Sequence, residues 1–317
     1  MDYRKKFVIE PGAKVRLSKI DASYIGKNES HEKALPEIQK HAERMDKLQY
    51  LLYADGSQSV LVVLQALDAA GKDGVIRHVF SGMNPQGTFV FGFKQPSKVE
   101  AAHDFLWRAH LRTPGKGEVV VFNRSHYEDV LVVRVHKLVP RSVWSKRYDL
   151  INDFEKMLSQ NHTTILKFFL HISPEEQLAR FKQRLDDPSR HWKISESDYS
   201  ERELWPQYVE AYEDAMALTS TKHAPWYIIP ANHKWFRNLA VSQIVADTMD
   251  DMGLKLPPTR VDIADIRRKY HAAEREANGG GKRRPPAKIG AMVESAATDM
   301  KRLAPKAAKA SEPAAKA

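Results

Sequence analysis

The sequence predicts an α/β protein, a parallel sheet of about five strands covered by helices on both faces. Three observations carry that expectation. Five short apolar runs rich in Val, Ile and Phe punctuate the chain. Helix-period patterns lie between them, and strands alternating with helices favour parallel pairing. The first run, Val60–Leu67, then leads into Ala66-Leu67-Asp68-Ala69-Ala70-Gly71-Lys72-Asp73-Gly74 and on into a helical pattern. A strand, a Gly-Lys turn and a helix start form the context of a phosphate-binding loop.

The elements follow in order. Residues 1–45 are charged and interrupted by Pro11 and Pro36, so they read as an arm plus the start of a helix over Glu37–Tyr53. The main domain, 46–257, holds the strands Val60–Leu67, Thr88–Phe93, Val119–Phe122, Ile165–His171 and Trp226–Pro230. Helices are expected over Lys72–Ser81, Lys98–Leu111, His126–Leu138, Asp149–Gln160, Pro174–Leu185, Ser200–Leu218 and Lys234–Met252. Residues 184–206 break the alternation by mixing charges with Trp192 and Trp205. Their place between the fourth and fifth strands suits a mobile lid. Residues 258–317 read as a helix remnant followed by a basic, disordered tail.

Composition narrows the function. The 317 residues are 42% hydrophobic, enough for a sizeable core, and contain no 18-residue apolar run of the kind that spans a membrane. The first residues lack the apolar stretch of a signal peptide, and cysteine is absent. Disulfide and thiolate chemistry are excluded, and a cytoplasmic location is expected. The formal charge of +10 points to an acidic partner, with +6 of it between Gly279 and Ala317. That stretch has no aromatic residue, so it reads more simply as a solvated tail than as a specific polyanion-binding arm.

The chemistry sits where the strands end, the usual edge for ligands in such sheets. Lys72 would supply charge to a phosphoryl group, with the backbone of Ala69, Ala70, Gly71, Asp73 and Gly74 around the phosphates. Compared with Gly-x-x-x-x-Gly-Lys-Ser/Thr, the first Gly is replaced by Ala66 and the Ser/Thr by Asp73. Asp68, inside the loop, would repel phosphate unless it serves Mg²⁺ or the acceptor; the plainer alternative is a turn Asp. After the third strand come Asn123, Arg124, Glu128 and Asp129, where Asn123 stands at the position usually taken by a metal-binding acid. Asn123 or Ser125 would equally serve as a helix cap. Arg134 lies in an otherwise apolar stretch, so it is either paired or aimed at an anion. Lys94 follows the second strand. His126 and His136 read as structural, and no cluster has zinc-ligand spacing.

Taken together, Ala66–Gly74, Phe93–Ser97, Asp104–Arg108, Phe122–Asp129, Arg184–Ser195 and Ala224–Pro230 resemble the polyphosphate kinase 2 family. The resemblance covers roughly residues 30–255 and rests on several long motifs in order. It implies a three-layer α/β/α P-loop kinase-like core with a helical lid. It implies Mg²⁺-dependent, reversible phosphoryl transfer from inorganic polyphosphate to nucleoside mono- and diphosphates, and a homodimer or homotetramer. By position, Asp68 and Lys72 fall on the family's loop acid and lysine, and Arg134 on a phosphate-contacting arginine. Lys94 falls on the polyphosphate path, and Arg184, Arg190 and Lys193 lie in the lid. Asn123 with Glu128 resembles the subgroup accepting both mono- and diphosphates, which leaves Asp68 as the metal anchor. The competing functions are an ATP-dependent nucleoside monophosphate kinase and a nucleic-acid-binding protein. The second is disfavoured because no basic–aromatic stacking motif is found.

Overall fold

The computed structural model describes residues 1–26 and 30–279. The chain divides into two units, Met1–Pro257 and the residues from Pro258 on. The described part of the second unit holds one exposed helix, Ile263–Gly279. The basic tail expected to follow lies outside the described residues.

The first unit is built on a six-stranded sheet: β1 Val8–Ile9, β2 Ser59–Gln65, β3 Thr88–Gly92, β4 Val119–Asn123, β5 Thr163–His171 and β6 Trp226–Pro230. Their order is β1-β6-β5-β2-β4-β3. All neighbours are parallel except β1, which pairs antiparallel with β6. The five predicted strands are present within two residues at each end, and β1 is additional. It is two residues long and sits in a charged arm, too short to show a period-2 pattern. What anchors it is aromatic packing. Tyr3 and Phe7 of the helix Tyr3–Phe7 join Tyr24 and Phe236, with ring centroids 5.5 to 6.1 Å apart.

Strand alternation sorts the core into two layers. Val60, Val62 and Leu64 face the helices His31–Asp55, Lys72–Val79 and Lys234–Asp251. Leu61 and Val63 face the helices Arg147–Gln160 and Trp205–Thr219. With helices on both sides, β2 is buried along its whole length. Register sets the functional edge: Leu64 lies level with both Asn123 and Phe168, so β2, β4 and β5 end side by side.

Four predicted helices differ in form, one of them His126–Leu138, which is a 3₁₀ turn over His126–Asp129 followed by the short helix Val132–Val135. The helix expected over Glu37–Tyr53 begins at His31, with Ser30 capping it and Pro36 held inside. Its buried stripe of Ala34, His41, Met45, Gln49 and Leu52 outweighs the hydrogen bond that the proline forfeits. Lys98–Leu111 is interrupted after Ala101, where the Asp104 carboxylate accepts from Leu106 N–H and turns the chain. Ser200–Leu218 becomes Ser197–Glu203 and Trp205–Thr219, parted beside Pro206. Among the described residues no helix is long and apolar enough to cross a membrane.

One ionic cluster lies inside the second layer. Lys167 of β5 and Glu155 are both fully buried, with Nζ to Oε2 at 2.5 Å. Lys167 also donates to Tyr127 OH at 2.9 Å and Thr219 O at 2.7 Å. Tyr127 OH donates to Glu155 Oε1 at 2.9 Å, and His126 Nε2 lies 3.3 Å from the same oxygen. The Lys167 ammonium and the Glu155 carboxylate are both answered, and the cluster fixes the segment that follows β4. Lys167→Met leaves the Glu155 carboxylate buried without a counter-charge, a loss of about 3–5 kcal/mol. The check is the urea midpoint, with Lys167→Met/Glu155→Leu expected to recover much of the loss.

Candidate active site

The loop after β2 runs from Ala66 to Gly71 and delivers the chain into the helix Lys72–Val79. Ala69 (φ 61°) and Gly71 (φ 105°) are left-handed, and Gly71 occupies the N-cap position. This winding leaves the first-turn N–H groups unpaired at the helix start, where they suit an anion. Gly71 is required twice. Its φ disfavours any side chain, and a Cβ there would collide with the Arg237 guanidinium. A Cβ on Gly74 would come within 2.8 Å of the same group.

Arg237 and Arg180 hold the loop from behind. Arg180 Nη1 donates to Ala69 O and Ala70 O, both at 2.9 Å, and its Nη2 donates to Ala231 O and Asn232 O. Arg237 Nη1 donates to Ala70 O at 3.1 Å. Arg180 pairs with Glu176 at 2.7 Å, whereas Arg237 forms no carboxylate pair among the described residues. Burial, and then the neighbouring Arg180 charge, pull the Arg237 guanidinium below its ordinary value.

On the open side, Lys72 Nζ folds back to donate to Ala66 O at 2.9 Å. Burial lowers its pKa, aided by Arg124 and opposed by Asp68. Arg124, left-handed at φ 61°, reaches from the end of β4 to Asp68 Oδ1 at 3.0 Å and Glu128 Oε2 at 3.4 Å. Burial works against the Arg124 charge, but Glu128 and Asp68 outweigh it and raise its pKa. Burial also pushes the Glu128 carboxyl up, against the pull of Arg124 and Lys72. Asn123 Nδ2 donates to Asp73 Oδ1 at 2.8 Å, tying β4 to the loop.

These groups border two cavities. A groove of about 1000 Å³ is lined by ten Lys and Arg side chains against two acids, Asp68 and Asp73. Asp68, Ala69, Gly71, Lys72, Asp73, Gly74, Lys94, Asn123, Arg124, Arg184 and Lys193 of the predicted site all line it. A smaller cavity of about 220 Å³ is walled by His136, Trp205, Tyr208 and Tyr212 and also touches Glu128 and Glu201. Asp68 and Arg124 line both. Ala70 is buried behind the loop and contributes its carbonyl to the two arginines.

Arg134 stands apart from both cavities. It pairs with Glu210 at 2.6 Å and Asp214 at 2.7 Å, and lies 4.7 Å from the Trp144 ring centroid. The short helix Val132–Val135 turns Val132 and His136 toward the smaller cavity. A residue two positions along a helix points elsewhere.

Arg180, Arg237, Gln177, Gln65 and Tyr212 were not singled out from the sequence. Gln177 Nε2 donates to Asp68 O at 3.0 Å, and the fully buried Gln65 donates to Ser125 Oγ at 3.1 Å. Gln65 closes an otherwise apolar strand, which is the signal that was available for it. Gln177 and Arg180 lie in a helix already rich in charge, so nothing local marks them.

The oxygen donors suit a hard cation. Asp68 and Asp73 present carboxylates to the groove, and Mg²⁺ takes one or two carboxylates while completing its shell with water and phosphate. No group of three or more His, Asp or Glu forms a ready metal cage among the described residues.

Comparison with known proteins agrees over most of the chain. The family described as polyphosphate kinase 2 matches residues 27–257. The chain is 50% identical over 257 residues to an AMP/ADP-polyphosphate phosphotransferase of Meiothermus ruber, covering 80% of this chain and 95% of that one. It is 46% identical over 271 residues to an ADP-polyphosphate phosphotransferase of Rhodopseudomonas palustris, covering 80% and 92%. The crystal structure of polyphosphate kinase 2 from Arthrobacter aurescens TC1 superposes with a TM-score of 0.83 at 38% identity, covering 86% of this chain and 97% of that one.

The site geometry generates two expectations. Gly71→Ala displaces Arg237 and tilts the loop, and a misplacement of about 1 Å costs on the order of 100-fold in rate; steady-state kinetics on the folded variant checks it. Glu128 behaves oppositely for stability and activity. Because its folded pKa is raised, the native state holds that proton more tightly, and its contribution to stability falls as pH rises through the window from the ordinary glutamate value to the raised one. Glu128→Gln therefore keeps or raises the thermal midpoint at pH 7 while lowering activity, as paired melting and activity assays would show.

Proposed function

The chain belongs to the polyphosphate kinase 2 family, and from that premise we infer that it transfers a phosphoryl group from inorganic polyphosphate to nucleoside mono- and diphosphates. The observation that carries the reading is the junction at Asp68 and Arg124, where the strongly basic groove meets the smaller aromatic cavity beside Lys72. A polyanion suits the groove, because ten Lys and Arg against two acids line a volume of about 1000 Å³. The aromatic walls of the smaller cavity suit a nucleoside, and its rim includes Ser197 and Glu201 of the segment expected to act as a lid.

In this reading the loop N–H groups and Lys72 hold the terminal phosphoryl group of the donor. Arg124, fixed by Asp68 and Glu128, faces both substrates and spreads charge over the transferring oxygens. A terminal phosphate oxygen of the acceptor attacks in line. That oxygen is already ionised at neutral pH, so no proton has to be removed, and the shortened polyphosphate leaves as an anion. Asp68 and Asp73 would hold Mg²⁺, which supplies charge neutralisation at the phosphates. The use of both AMP and ADP is supported by the joint presence of Asn123 and Glu128 in the sequence and by the Meiothermus ruber relative. Reversibility, a cytoplasmic location and a homodimer or homotetramer belong to the same reading. The absence of cysteine supports the location, and the family resemblance supports the others.

The test is incubation with polyphosphate and Mg²⁺, supplying AMP or ADP separately and no ATP. New ADP and then ATP are expected from AMP, and ATP from ADP. No nucleotide conversion without ATP would overturn the reading in favour of an ATP-dependent kinase. Lys72→Ala should lower kcat about 100- to 1000-fold, as loss of a preorganised charge contact does. Chelation of divalent cations should abolish transfer and added Mg²⁺ restore it.

A further inference from the structure

A second large cavity, about 810 Å³, opens beside the edge strand β1. Its walls are apolar and partly aromatic: Phe7, Ile9, Val15, Tyr24 and, from β6, Ile228. Around them stand four exposed cations, Lys6, Lys14, Arg16 and Lys19, against two acids, Glu10 and Asp21. Among the described residues none of the four cations forms an ion pair; the pairs formed by this part of the chain are those of Arg4 with Asp2 and Asp251. Lys6 Nζ lies instead 5.1 Å from the Tyr24 ring centroid. Like charges gathered around one mouth repel each other, and an anion seated among them relieves that repulsion.

The volume falls in the range of small-molecule sites. The combination of linings selects the ligand class. An inorganic phosphate chain would satisfy the rim and leave the apolar walls wet. An apolar molecule without charge would leave the cations unanswered. We propose that this cavity is a second binding site, separate from the groove, for a nucleoside phosphate. The base enters the apolar walls beside Tyr24, and the phosphates meet Lys14, Arg16 and Lys19.

The wall is also connected to the phosphate loop. Asn232 N donates to Ala22 O at 3.1 Å, and its Nδ2 donates to Ser23 Oγ at 2.8 Å. Arg180 donates to Asn232 O at 3.0 Å and to Ala69 O at 2.9 Å. The segment that closes one side of the cavity thus shares a hydrogen-bonded residue with the arginine that holds the loop. The proposal concerns binding and does not depend on the transfer reaction.

Equilibrium dialysis of the full chain with radiolabelled ATP tests it. The triple variant Lys14→Glu/Arg16→Glu/Lys19→Glu should bind one ATP fewer per chain than the wild type, or bind that one more weakly by at least about tenfold. Tyr24→Ala should weaken the same site, and thermal melting of both variants confirms that they are folded. Inorganic tripolyphosphate should compete poorly there. Equal stoichiometry and affinity in wild type and triple variant would overturn the proposal. So would tripolyphosphate displacing the second ATP as well as unlabelled ATP does, since the site would then read anions without the base. A chain that shows no phosphoryl transfer but still loses one ATP on the triple substitution would keep this proposal and sink only the transfer reading.

Discussion

Two guanidinium groups behind a short loop set the terms for the functional edge. Arg180 and Arg237 both take the Ala70 carbonyl, and Arg180 takes that of Ala69 as well. A planar peptide points its C=O and N–H in opposite directions, so a carbonyl pinned inward sends the following N–H outward. The Gly71 N–H is aimed away from the arginines in this way, on the side where the helix Lys72–Val79 begins. The arrangement is costly, since Arg237 is buried next to a second arginine and pairs with no acid among the described residues. It is tolerated because Arg237 donates to the Ala70 carbonyl and, through Nε and Nη2, to the Asn238 side-chain oxygen. The glycines at 71 and 74 follow from the same close approach, rather than from flexibility.

Much of the architecture was legible because burial on both sheet faces leaves a plain mark. The runs around Val60, Val119 and Trp226 contain almost nothing polar, as a fully covered parallel strand allows, and the run at Ile165 admits Lys167 only with Glu155 against it. The helices flanking them could be placed from their periods. What stayed hidden was held by contacts distant in sequence. Strand β1 has two residues and depends on Tyr3 and Phe7 meeting Phe236 more than two hundred positions away. Pro36 reads locally as a breaker, yet the face running from Ala34 to Leu52 packs well enough to keep the helix whole. Conversely, Asp104 and Pro206 were visible as turn and breaker residues, yet each fell inside a stretch read as one helix.

The site shows the same division. Residues within the loop and directly after β4 were accessible from sequence because strand ends bring them to one edge. Together with Lys94, Arg184 and Lys193, eleven residues of the predicted site line one groove. Arg134 was expected among the phosphate contacts, with pairing as the alternative, and in this structure it is paired with Glu210 and Asp214 away from both cavities. Which alternative holds depends on the facing helix Trp205–Thr219, which no local pattern around residue 134 contains. Gln177, Arg180 and Arg237 come from helices over one hundred residues beyond the loop, so only the assembled fold shows that they support it.

The meeting of the two cavities at Asp68 and Arg124 has a consequence for the phosphorus atom itself. In the proposed reading the donor lies in the groove and the acceptor in the smaller cavity, and the two spaces share Asp68 and Arg124. Direct transfer then needs both substrates bound together and a single displacement at phosphorus. A chiral phosphoryl group made with distinguishable oxygens would therefore arrive on the acceptor with its handedness inverted, whereas relay through an enzyme-bound phosphate would return the original hand.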